Sequence, residues 1–152
     1  MKKSNVITSI LIVLLVIVSM AFINLKLQNH RTQKTIDEMF TNSYNNLTLN
    51  MLNKNVEGID EDAIHRYNVE NTKWSSILTN YYPLTSFYKY KNTDLNYIIA
   101  MLAQSSGYNA VTELDMNIEL YRKIKKVPEN YFRDEEILRE AKTAIENAEI
   151  EK

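Results

Sequence analysis

The chain has 152 residues, is 45% hydrophobic and 24% charged, and carries a formal net charge of −1. So even a balance excludes a whole-chain case for nucleic acid or for an acidic substrate. The absence of cysteine excludes disulfide staples, thiolate metal sites and lipid attachment through a thiol. Two glycines and two prolines are too few for the turns of an all-β fold, and they predict helices.

Residues 1–5 form a short basic tail with Lys2 and Lys3, and residues 6–25 (VITSILIVLLVIVSMAFINL) carry no charge. At about 1.5 Å per residue this run makes a helix of roughly 30 Å, the thickness of a hydrocarbon core. Val6, Ile10, Leu14, Val18, Phe22 and Leu25 mark it as a transmembrane anchor in contact with lipid. A secretory signal peptide fits the same start, with a cut after Ala21 in Ser19-Met20-Ala21. The apolar run continues through Phe22, Ile23 and Leu25, which favours the uncleaved anchor. Lys2 and Lys3 abut the run as in a signal-anchor. This favours a cell-membrane, single-pass protein with its C-terminal domain extracytoplasmic, although Lys26, Arg31 and Lys34 follow the run on its other side. These basic residues suit anionic head groups.

Residues 26–35 are polar without a breaker, so the membrane helix is expected to continue through them as a stalk. Residues 36–152 form the extracytoplasmic domain. Ile36, Met39/Phe40, Tyr44, Leu47 and Met51 recur at helical spacing, and Gly58 ends that helix. Acids at 60–62 open a second helix with Ile64, Tyr67, Trp74, Ile77/Leu78 and Tyr81 on its stripe, interrupted by Asn71; Pro83 stops it. A third helix follows Asn92, Thr93 or Asp94 and carries Leu95, Ile98, Ile99 and Leu102. The fourth is expected from Asn109, with Val111, Leu114, Ile118 and Tyr121 on one face and Pro128 as its break. A fifth opens at Asp134-Glu135-Glu136. The predicted architecture is all-α: one N-terminal membrane helix continuing into a small antiparallel helical bundle of four to five helices.

Motifs that carry chemistry are missing from the sequence, and no cofactor is expected. Residues 53–64 place Asn53, Asn55, Glu57 and Gly58 at calcium-loop positions, but Ile64 stands where the bidentate Glu belongs. His30 and His65 lie far apart, without HExxH. The basic residues Arg122, Lys123, Lys125 and Lys126 complete a helix dipole. The one local oddity is the aromatic segment 81–91, where Tyr82, Phe87, Tyr88 and Tyr90 form a candidate partner contact. The same aromatics could instead plug the end of the bundle. With only Lys89 and Lys91 nearby, no nucleic acid partner is expected. The function that fits is a non-enzymatic, membrane-anchored protein-interaction module of the cell envelope. The alternatives are a sensor-like helical domain for a small ligand, or a secreted helical protein released after Ala21.

Overall fold

The computed structural model describes residues 3–88, 92–107, 110 and 113–150. The described residues are mainly helical: α1 (Lys3–Lys54), α2 (Glu61–Tyr81), α3 (Thr93–Gln104), α4 (Ile118–Glu129) and α5 (Glu135–Ala148). A 3-10 turn (Tyr82–Leu84) follows α2. The exception is a ladder two residues a side, in which β1 (Glu113–Leu114) pairs antiparallel with β2 (Glu149–Ile150). Met1–Thr35 and Ile36–Lys152 are two compact units.

The first unit contains a helix long and apolar enough to cross a membrane. Leu14, Val18, Phe22 and Leu25 are all exposed, Phe22 at 68%. Val6 and Ile10 lie within α1, and their side chains fall outside the described residues.

The second unit holds the core. Phe40, Tyr44, Leu47 and Met51 are buried at alternating spacings of four and three, the pattern of one helix face. Met39, their neighbour on the predicted stripe, is instead 37% exposed. Leu95, Ile98, Ile99 and Leu102 of α3 are buried, as are Leu138, Ala141 and Ile145 of α5. α4 packs on α5, α5 on α3, and α3 on α2. Lys142 Nζ donates to Asp94 Oδ1 at 3.1 Å, tying α5 to α3, and this bond raises the Lys142 pKa. Asn71 occupies its place in the apolar stripe of α2 buried, with Oδ1 unpartnered.

Helix starts follow side-chain capping, each cap contributing about 1 kcal/mol. Asp60 Oδ1 accepts from the amide of Ala63, and Asn92 Oδ1 from Asp94 and Leu95, as the sequence predicts. Asp134 Oδ1 does the same for Glu136 and Ile137.

α4 departs from expectation at both ends. Its cap is Asn117, whose Oδ1 accepts from Glu119 and Leu120 at 3.0 Å. Asn109 and residues 111–112 lie outside the described residues. Leu114 is buried from the ladder and not from a helix face, and Asp115 N donates to Ala148 O. Pro128 does not break the helix; it sits inside the last turn. A proline there removes the amide that would reach the carbonyl four residues back. That carbonyl, Ile124 O, accepts the buried hydroxyl of Tyr44 at 3.2 Å instead.

Candidate functional site

The aromatic segment divides between core and surface. Tyr82 and Phe87 are buried, Tyr88 is 39% exposed, and Tyr90 lies outside the described residues. Phe40 is the hub: it stacks on Tyr82 at 5.6 Å and meets Phe132 edge-on at 5.0 Å, while Phe87 lies 4.8 Å from Phe132. Tyr88 stands perpendicular to Tyr82 at 5.3 Å. Each such ring pair is worth about 0.5–1.5 kcal/mol beyond its buried area. The Tyr82 hydroxyl donates to Asn96 Oδ1 at 2.6 Å. Burial, with Tyr88 beside it, pushes the Tyr82 pKa up to about 12.

The segment is held to α1 by Asp37. One carboxylate oxygen accepts from the Ser86 amide at 2.8 Å, and the other from the Ser86 hydroxyl at 2.7 Å. Thr85 Oγ1 donates to Tyr82 O and accepts from the Tyr88 amide. Leu84, carried on this framework, is 57% exposed.

Phe132 joins the same cluster from the α4–α5 connection, where it follows Tyr131. Phe132 N donates to Val127 O and Tyr131 N to Pro128 O, both at 3.0 Å. This is the Schellman ending of a helix, whose first residue past the cap is usually glycine in the left-handed conformation. Here Tyr131 takes that position at φ 54, and Phe132 follows at φ 57. Burial of Phe132 (2% exposed) against Phe40 and Tyr44 holds the turn in this form. Tyr131 is 72% exposed.

A polar groove runs between α4 and α5. It comprises a cleft of about 250 Å³ beside Asp115, Asn117 and Glu119, and one of about 390 Å³ beside Arg139, Glu140 and Thr143. Lys123, Ala144 and Asn147 line both. Lys123 faces Glu119 at 3.8 Å. The lining combines Ala144 with side chains of both signs, Lys123 and Arg139 beside Glu119 and Glu140. The sequence reading missed this groove. Arg139, Thr143 and Asn147 recur every four residues, but whether a polar stripe is concave depends on packing.

Of residues 53–64, the first two end α1, the last four open α2, and those between form a turn built by backbone bonds, with Gly58 at φ +78 and Asp60 engaged as a cap. His30 and His65 are both exposed, on α1 and α2. Comparisons with family models, with curated proteins and with solved structures find no match to this chain.

Proposed function

We propose that the chain is a single-pass membrane protein of the cell envelope. Its basic tail lies inside, and its helical unit lies outside the cytoplasm and binds another protein. The carrying observation is the exposed apolar run of α1, with every large side chain from Leu11 to Leu25 facing outward. Leaving one such side chain in water forgoes about 1.5–3 kcal/mol, and a hydrocarbon core recovers it along the whole run. The partner's peptide segment would lie in the α4–α5 groove, hydrogen-bonded to Asn147, Thr143 and Asn117. A helical unit tethered at one end and grooved at its surface recruits a partner to the membrane without chemistry of its own.

The test combines fractionation, topology and crosslinking. With a tag after Lys152, the chain should resist alkaline carbonate extraction, and the tag should be digested when protease is added to spheroplasts. A photo-crosslinker at Thr143 should then capture one partner reproducibly, and a crosslinker at Val69, exposed on α2, should not. Extraction by carbonate would refute the anchor. Equal capture from both positions would refute the groove.

A further inference from the structure

We propose that the α4–α5 groove selects an extended peptide segment carrying a basic and an acidic side chain four positions apart. The proposal rests on the groove as the partner's site and specifies the chemistry of the segment that fills it.

The first argument is the placement of charge. Asp115 N donates to Ala148 O at 3.1 Å, so the approach to α4 lies against the end of α5. The cleft at this end is lined by Asp115 and Glu119. Arg139 lines the other cleft, two turns earlier in α5, and Lys123 lines both. The groove is thus acidic at one end and basic at the other, where Lys123 and Arg139 outnumber Glu140. A segment with both signs is attracted at both ends, and a segment of one sign is repelled at one of them.

The second argument is that the polar groups of the groove are uncommitted. Thr35, Thr41, Thr48, Thr72 and Thr79 each donate their hydroxyl to the carbonyl four residues back in their helix. Thr143, equally inside a helix, makes no such bond among the described residues, and the side chains of Asp115 and Asn147 are unbonded there too. Arg139 has Glu135 one turn before it and forms no ion pair with it among the described residues. The Lys123–Glu119 pair is long at 3.8 Å and open to water, so either member can exchange it for a ligand group.

The third argument is length. Arg139 and Asn147 are eight residues apart in α5, about 12 Å at helical rise. An extended chain advances about 3.3 Å per residue, so four residues cover about 13 Å. Its side chains alternate, so two residues four apart face the same side. A basic side chain over Asp115 and Glu119 therefore sets its acidic neighbour over Lys123 and Arg139. Between them, Thr143 and Asn147 offer a hydroxyl and an amide to the backbone of the segment. A helical segment, about 10–12 Å across, is wider than the roughly 8–10 Å between the axes of two packed helices and rides on the rims instead.

The full chain in detergent micelles would be immobilised and offered a pool of random octapeptides, acetylated and amidated so that neither terminus adds a charge. Relative to empty micelles, the retained peptides should be enriched in Lys or Arg four positions from Asp or Glu. Arg139→Glu should exchange the acid of that pattern for a base, and Asp115→Lys should exchange the base for an acid. The best wild-type peptide should bind each variant roughly tenfold more weakly, as an exposed attraction becomes a repulsion of similar size. Circular dichroism should stay unchanged. Arg139→Gln, which should only erase the preference for an acid, covers the case in which Arg139→Glu loses helix content. Retention without a charge pattern, or a pattern that the Arg139 variants leave unaltered, overturns the proposal. No retained peptide, while the crosslinker at Thr143 still captures its partner, overturns the charged extended segment and leaves the groove reading standing. Failure of both removes both.

Discussion

The Tyr44 hydroxyl fills the vacancy that Pro128 creates, donating across 80 positions of sequence to Ile124 O in the buried core. Without it, a buried carbonyl would lose its partner at a cost of about 1–3 kcal/mol. Tyr44→Phe should therefore destabilise the full chain by that amount in urea denaturation monitored in micelles. In a Pro128→Ala background, the new amide can serve Ile124 O, and the same substitution should cost clearly less. An equal cost in both backgrounds would break the link between the two residues.

Alkaline pH should unfold the helical unit earlier than its helix content suggests. Burial raises the Tyr44 pKa and holds Tyr82 at about 12, against an ordinary value of 10.0. A raised phenol pKa means that the unfolded chain releases its proton first. The stabilisation is complete below pH 10 and declines as pH rises from about 10 toward 12. Stability measured across that interval should fall, and Tyr82→Phe should flatten the fall while lowering the neutral-pH value by about 1 kcal/mol for the lost bond to Asn96.

Tyr131→Gly should raise the stability of the chain. Relief of the left-handed strain, roughly 1–2 kcal/mol, exceeds the 0.5–1 kcal/mol that glycine's backbone freedom costs. Thermal denaturation should show a gain of about 0.5–1 kcal/mol. A loss would mean that the ring contributes more packing than its exposure indicates.

The two glycines should respond differently to alanine. Both have φ near +80, but a Cβ on Gly58 meets nothing, whereas on Gly107 it runs into Thr72 Oγ1. Gly58→Ala should cost about 1 kcal/mol, the backbone effect alone. Gly107→Ala should cost more, and Thr72→Ala should bring it down to the Gly58 level. Failure of that rescue would place the constraint elsewhere.

Much of the helical layout was legible in the sequence because its signals are local. Asp60 and Asn92 announce their helices through an oxygen that reaches two or three residues on, and the Leu95–Leu102 pattern needs no tertiary knowledge. α4 was misplaced because Leu114, Ile118 and Tyr121 keep helical spacing across a boundary that only the Asn117 cap and the pairing of Leu114 with Glu149 reveal. Pro128 misled for a related reason: its missing donor is replaced from α1, and sequence spacing carries no trace of that. The candidate surfaces were the least legible. Tyr82 and Phe87 have the composition of a contact patch and are taken into the core, while Tyr131, in a connection that Pro128 and Asp134 did mark, carries no sign of its left-handed backbone.

The cluster around Phe40 also sets a schedule. Phe40 meets Phe132, 92 positions later in the chain. At 5–20 residues per second, a ribosome needs about 5–18 s to cover that stretch. Throughout that interval the apolar run of α1 is already synthesised, while the ring that closes the core has yet to be made. The unit's core is thus completed late in synthesis, once Phe132 has emerged to meet Phe40.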